Sequence, residues 1–210
     1  MSEADSQFDG AALSSLCSVL ATPAMLTGVF RDILTRHFQP GFIEQNELRE
    51  AIWRPGNDTS IVIESIHRWR PQTTGVRPAV IVKRNAYRNQ RVGIGDRRQG
   101  NPTDRSGNQS FSTFWVGSHT LFCLGQEGAQ AELLATETQR ELTEFGPVLQ
   151  KSLRLTRFSV LEVGPVSLLE EAAENYVVPV TVGYACEQSW RLLQQAPPPL
   201  RLALTTLLEC

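Results

Sequence analysis

The residues best suited to chemistry in this chain are its three histidines and four cysteines. The cysteines are widely spaced, form no CxxC pair and exclude a ribbon-type zinc site: Cys17, Cys123, Cys186 and Cys210. The histidines are solitary, with no HExxH or HxE pattern around them: His37, His67 and His119. These patterns predict no bound metal, and they predict that Cys123 and Cys186, inside apolar strand-like runs, behave as small buried hydrophobes.

Phosphate-loop and nucleophile motifs are equally weak. Gly93-Ile-Gly95 is similar to a fragment of a phosphate loop, but it lacks a third glycine and does not open a helix. No GxxxxGK[ST] motif, nucleophile elbow or spaced acid pair is present in the sequence. We therefore expect no cofactor and no enzymatic activity, since catalysis would require residues that only the fold brings together.

The charged residues are segregated along the chain, although the formal net charge is only −2. Ten of the twenty basic residues fall between Arg68 and Arg105, and nine glutamates fall between Glu127 and Glu174. Such unlike halves favour a subunit that pairs different faces with its own copies, while ordinary solvated surface is the alternative. The candidate subunit or DNA contacts are Arg84, Arg88, Arg91, Arg97, Arg98 and Arg105. The candidate acidic interface face, on one predicted helix, is Glu132, Glu137 and Glu141.

Hydrophobic spacing places these residues on a series of helices and strands. Thr22 and Pro23 predict a helix start that is followed by apolar residues at helical spacing, and Pro40-Gly41 ends the pattern. Alternation predicts strands over 60–70 and 78–87. The later predicted elements are a strand over 110–124, a helix from about 127 to 145 or 152, a strand over 158–163 and a last strand over 176–186. Gly117-Ser118 predicts a bulge or bend in the first of these strands, and Pro179 indicates an edge position or a local break in the last.

Residues 88–109 stand apart from these elements, because they are rich in Arg, Gly, Asn, Gln and Asp and almost free of apolar side chains. Loops of this length inside a compact domain are uncommon, and most are functional or disordered. Three interpretations stay open: an arm that contacts nucleic-acid phosphates, an assembly arm that orders against an acidic neighbour, and an exposed insertion without a role.

The element order predicts an α+β fold, with a mainly antiparallel sheet flanked by helices and a long Arg-rich loop. The predicted organisation is an N-terminal extension over 1–21, an α+β domain over 22–190 and a Pro-rich C-terminal extension over 191–210. The acidic N-terminus and the absence of a long apolar run predict neither a signal peptide nor a membrane span.

The same element order, closing with the "VGP…ENYVVPVTVGY" pattern of residues 163–184, resembles the tail terminator (tail completion) proteins of tailed bacteriophages over about residues 20–190. The resemblance implies a virion structural protein, assembled in the host cytoplasm, that forms a homohexameric ring and caps the tail tube. Its implied partners are its own copies, the tail tube protein, the sheath protein in contractile tails and the head-side connector or neck protein, with nonspecific DNA contact in the channel.

Two alternatives to this function remain at the level of sequence. The first is a neck or head-completion adaptor protein, which binds the portal side of the neck. The second is a sequence-independent DNA-binding module that uses the Arg-rich segment.

Overall fold

A computed structural model describes residues 21–40, 43, 46–56, 58–70, 78–91, 109–169 and 175–192. The side chains of residues 109, 110 and 190–192 lie outside this description. Contacts divide the chain into two units, of which the larger comprises Val19–Gln90 and Phe114–Glu187. The smaller unit comprises Met1–Ser18, Arg91–Thr113 and Gln188–Cys210. The features below belong to the larger unit unless stated otherwise.

The first helix, α1, spans Pro23–His37 and begins as the sequence predicts. The Thr22 hydroxyl accepts a hydrogen bond from the Met25 amide at 3.3 Å, and proline occupies the first turn, where its missing N–H costs nothing. Leu26, Phe30 and Leu34 form its buried stripe. A 3-10 turn, Asn46–Leu48, follows.

Of the two bounds predicted for the helix from about 127, the structure agrees with the shorter: α2 spans Gly128–Glu144, and a separate helix, α3, spans Gly146–Ser152. They are separated at Phe145, which caps both of them, and Pro147 lies in the first turn of α3. Because proline provides no N–H for a helix that runs through it, the chain starts a new helix there.

The sheet is mixed and mostly antiparallel, so the α+β prediction is confirmed. Its strands are β1 (Val62–Ser65), β2 (Ala79–Gln90), β3 (Gln109–Gly125), β4 (Leu155–Val163), β5 (Ser167–Leu168) and β6 (Tyr176–Leu192). The order across the sheet is β1-β2-β3-β6-β4, and β5 also pairs with β6. β1 runs parallel to β2, whereas the β2–β3, β4–β6 and β5–β6 pairs are antiparallel.

The main hydrophobic core lies on the face of the sheet that the three helices cover. Alternate residues of the strands, such as Val80, Leu121 and Val182, pack there with Phe30 and Leu134 of the helices. The intervening residues point to the opposite face, where a smaller buried cluster consists of Ala79, Ile81, Leu124 and Val177. We call this opposite side the open face.

Several predicted elements have different bounds in the structure. The strand predicted over 60–70 is only four residues long, because the chain turns at residues 66–68. Pro179 lies in β6, which has neighbours on both sides and runs unbroken over Tyr176–Leu192, so the structure shows neither the edge position nor a break in this strand. The interruption is in the chain paired with it, where Gly164, Pro165 and Val166 separate β4 from β5.

The predicted bulge lies on the neighbouring strand instead of at Gly117. The register of β2 against β3 shifts between Arg84 and Tyr87. Gly117 has a different reason to be glycine: an added Cβ would lie 2.6 Å from ring atoms of Tyr184. The centre of the predicted Arg-rich loop, residues 92–108, lies outside the described residues, as do almost all of the predicted extensions over 1–21 and 191–210.

Candidate interaction surfaces

The open face of the sheet carries a concavity of about 640 Å³ that contains two arginines and no carboxylate among its described lining residues. We call it the arginine groove. Its lining side chains come from four adjacent strands: Asn85, Ala86, Arg88, Asn89, Gln90, Val116, Gly117, Ser118, Arg157, Ser159, Leu161, Gly183, Tyr184 and Ala185.

Strand register places the two arginines on opposite sides of this groove. Arg88 of β2 is paired with Val116 of β3, and Arg157 of β4 is paired with Ala185 of β6. β3 and β6 are neighbours in the sheet, so Val116 and Ala185 lie on the strands between the two arginines. Three inter-strand spacings separate the two backbones by about 14 Å. Both guanidinium groups are exposed, and neither has an ion-pair or hydrogen-bond partner among the described residues.

A row of hydrogen-bonded polar side chains begins in the groove and extends beyond it across the open face. The Asn85 amide donates to the hydroxyls of Ser118 at 3.2 Å and Thr120 at 2.8 Å, and the Thr120 hydroxyl lies 3.4 Å from that of Thr181 on β6. The buried Ser159 hydroxyl has no hydrogen-bond partner among the described residues. Polar side chains therefore continue across all four strands of the open face.

The arginines predicted as contacts do not share one surface in the described structure. Arg88 lies in the arginine groove, but Arg84 is paired with His119, whose side chain points to the helix-covered core. Arg91 is exposed just beyond the end of β2, and Arg97, Arg98 and Arg105 lie outside the described residues. Sequence reasoning missed Arg157, because a single arginine in a strand gives no signal until its partner strand is known.

An apolar edge forms the outer boundary of the sheet along β4 and β5. Its exposed large side chains are Leu161 (57 % exposed), Val163 (44 %), Val166 (40 %) and Leu168 (56 %). Single exposed apolar residues are ordinary, but four of them within residues 161–168 at one edge of a sheet form a candidate contact surface for another chain.

A concavity of about 530 Å³ lies between this edge and the elbow of α2 and α3. Leu142, Phe158 and Val163 contribute to its lining, and the nearby Phe145 and Val148 are exposed. The Gln150 amide spans from α3 to β4 and donates to the Phe158 carbonyl at 3.1 Å. The apolar edge therefore continues onto the helix elbow.

The predicted acidic interface face is not what the structure shows. Only Glu132 is exposed, whereas Glu137 is fully buried and Glu141 nearly so. His37 explains the difference: its Nε2 lies 2.7 Å from Glu137 Oε1 and its Nδ1 lies 2.9 Å from Glu141 Oε2. Arg140 Nη2 also donates to Glu137 Oε1 at 2.7 Å. These four residues, the His37 cluster, bind the end of α1 to α2.

Burial raises the pKa of Glu141, and the adjacent His37 opposes that increase. The cluster joins α1 to α2 through buried polar contacts, so its role is structural.

His119 is a second buried histidine, and it binds β3 to the start of α1. Its Nε2 lies 3.1 Å from the Pro23 carbonyl and 2.9 Å from the Thr27 hydroxyl, while its ring packs edge-on against Phe30. Nδ1 has no hydrogen-bond partner among the described residues. Burial lowers the pKa of His119 to about 4, against the opposing effect of the Pro23 carbonyl and with a further lowering by Arg84.

The described cysteines are buried free thiols, as the sequence predicts. Burial raises the pKa of Cys123 to about 12, with its contact to Thr138 opposing the shift, so its thiol stays protonated at neutral pH. Cys186 lies 3.0 Å from the Tyr87 hydroxyl, and burial raises the pKa of that thiol as well. Thiolate chemistry is disfavoured at both positions.

Within the described ranges, no group of three or more His, Cys, Asp or Glu side chains has the arrangement of a metal site. None of the helices in the part of the chain that the structure describes has the length and apolarity needed to cross a membrane. The sequence matches no protein-family model and no curated protein. A functional proposal therefore depends on the arginine groove and the apolar edge.

Proposed function

We propose that this protein is a structural subunit of a tailed-bacteriophage virion that assembles head to tail with its own copies into a ring. In this proposal the ring caps the tail tube and joins the tail to the head-side connector, as the tail-terminator resemblance implies. The observation that carries the proposal is the apolar edge, because residues 161–168, which comprise the end of β4, β5 and the link between them, present four exposed large apolar side chains.

The two edges of the sheet support a heterologous interface, in which unlike surfaces meet. One edge is the four-residue β1, whose Glu64 forms an ion pair with Arg31 of α1 at 3.1 Å. The other edge is the long apolar run of β4 and β5. Head-to-tail contacts between unlike surfaces close into rings when the rotation per subunit allows it.

The energetic reason for assembly is the burial of this apolar edge. Complete burial of a Leu or Val side chain stabilises an interface by about 1.5–3 kcal/mol. Replacing Leu168 with lysine would instead place a charge in the contact. We expect Leu168→Lys to weaken each interface by about 2 kcal/mol or more, which is at least about thirtyfold in its association constant.

The experiment compares the mass of the purified protein in solution for the wild type, Leu168→Lys and a matched control. Met25→Lys is that control, since it replaces another exposed apolar residue (42 % exposed) with the same charge on α1. The wild type and the control should form a closed oligomer that Leu168→Lys disrupts. Equal assembly of all three proteins would reject the apolar edge as the interface.

Binding partners separate the proposed terminator from a neck or head-completion adaptor. A terminator ring should cosediment with purified tail tubes and decorate one tube end in electron micrographs. Decoration of portal-bearing heads without binding to tubes would favour the adaptor. The sheath protein and the head-side connector are further proposed partners of the ring.

A further inference from the structure

We propose that the arginine groove binds the phosphate backbone of double-stranded DNA without reading its sequence. The groove and the apolar edge share Leu161, so the inference is tested through Arg88 and Arg157, which are not among the exposed apolar side chains of that edge. The groove lies on the side of the sheet opposite the three helices and the main core.

The chemistry of the groove's polar residues matches a phosphate surface. They comprise two arginines, three side-chain amides, two serines and a tyrosine, with no carboxylate among them. Protein contacts to phosphate and sugar are made by these residue types, together with lysine and threonine. Arginine is also enriched in the cores of protein interfaces, but the other residues enriched there are aromatic residues and methionine. The described lining of the groove contains no methionine and no exposed aromatic ring.

The geometry allows each arginine to contact its own phosphate. Arg88 and Arg157 project from β2 and β4 on either side of Val116 and Ala185. A guanidinium group with a carboxylate partner would have to give up that partner in order to bind a phosphate. Arg88 and Arg157 have no carboxylate partner among the described residues. Guanidinium also binds phosphate oxygens in a bidentate manner.

The described lining of the groove offers no exposed aromatic ring, which argues against base recognition. Among the described residues that line it, Tyr184 is the one aromatic residue, and that side chain is 2 % exposed and packed against Gly117, His119 and Tyr87. Single-strand binding depends on exposed aromatic side chains on which bases stack. Backbone contact alone favours duplex DNA, where the phosphate charge density is highest.

The test is binding of a fluorescently labelled, random-sequence duplex, measured by anisotropy over a range of salt concentrations. Two phosphate contacts contribute about 1.8 to the slope of log K against log salt. The Arg88→Ala/Arg157→Ala variant should lose that part of the slope. Its affinity deficit relative to the wild type should therefore shrink by about tenfold between about 50 and about 200 mM salt.

A matched control separates the groove from general charge effects. Arg36→Ala/Arg49→Ala removes the same two positive charges from exposed positions outside the groove. This control should bind DNA with the wild-type slope. Thermal unfolding of both double variants verifies that they are folded, because all four side chains are exposed.

Three outcomes would overturn the proposal. In the first, the wild type does not bind duplex DNA. In the second, the groove variant and the control variant lose the same affinity and the same salt slope. In the third, poly-glutamate binds through Arg88 and Arg157 while duplex DNA does not, which would identify the groove as a site for an acidic polypeptide. None of these outcomes alters the mass of the oligomer, so ring assembly and DNA binding are tested separately.

Discussion

His119 makes the stability of the fold depend on pH in a direction that the structure determines. The side chain is fully buried, and its Nε2 lies 3.1 Å from the Pro23 carbonyl oxygen, which only accepts hydrogen bonds. Nε2 therefore carries the proton in this contact, and Nδ1 is the unprotonated nitrogen, with no partner among the described residues. Protonating Nδ1 would bury a charge and an unsatisfied donor.

The magnitude follows from the shift in pKa. The pKa of His119 falls from 6.5 to about 4 in the folded protein, chiefly through burial. Because the folded state binds this proton less readily than the unfolded state, the stabilisation is complete above 6.5 and is lost as the pH falls towards 4. Each pH unit in that interval corresponds to at most about 1.4 kcal/mol, so the total loss is about 3 kcal/mol.

The assay is urea unfolding of the wild type and His119→Gln at pH 7.5 and pH 4. Glutamine keeps an N–H donor but does not titrate, so the free-energy difference between the two proteins isolates the histidine from other titrating groups. We expect the wild type to be more stable at pH 7.5 and its advantage to shrink by up to about 3 kcal/mol at pH 4. An advantage that is the same at both pH values would refute this account of His119.

Two further substitutions test the packing of the core. His37→Ala removes the hydrogen-bond partner of the buried Glu137 and Glu141 carboxyl groups and should reduce the free energy of unfolding by about 1–3 kcal/mol. Glu132→Ala, on the exposed face of α2, should change it by less than about 0.5 kcal/mol. Similar urea midpoints for the two variants would contradict the structural role of the His37 cluster. Gly117→Ala places a Cβ 2.6 Å from the Tyr184 ring and should cost about 1–3 kcal/mol. In a double-mutant cycle, Tyr184→Leu should recover part of that loss, and strictly additive effects would show that the ring is not the obstacle.

Local sequence signals predicted the parts of the fold that depend on neighbouring residues. Thr22 and Pro23 specify the start of α1 because a hydroxyl cap and a first-turn proline act within one helical turn. The alternation from Tyr176 to Cys186 predicted β6, whose residues divide between the two faces of the sheet. The α+β class followed from these elements.

Strand order and pairing were not predictable in this way, since they depend on contacts between distant residues. The parallel β1–β2 pair and the position of β6 between β3 and β4 are examples. The register shift between Arg84 and Tyr87 has a direct consequence for function. Strict alternation would place Arg84 and Arg88 on the same face, but the shift directs only Arg88 into the arginine groove.

The buried glutamates show the same limit on α2. Glu137 and Glu141 lie three and seven residues after Leu134, so helical spacing alone places them beside the buried stripe. Their charge favoured an exposed assignment, because carboxylates are rarely buried without a partner. That partner, His37, is 100 residues away from Glu137 in the sequence. Only the packing of α1 on α2 reveals it.

The central claim is that this chain is an assembly subunit whose unlike surfaces bind its own copies. The most direct measurement is the mass of the wild-type protein in solution, alone and with purified tail tubes, followed by imaging of the particles. The account predicts a closed ring, with six copies of the 23.4 kDa chain as the expected number. A protein that stays a single 23.4 kDa chain at every concentration, both alone and in the presence of tubes, would contradict it.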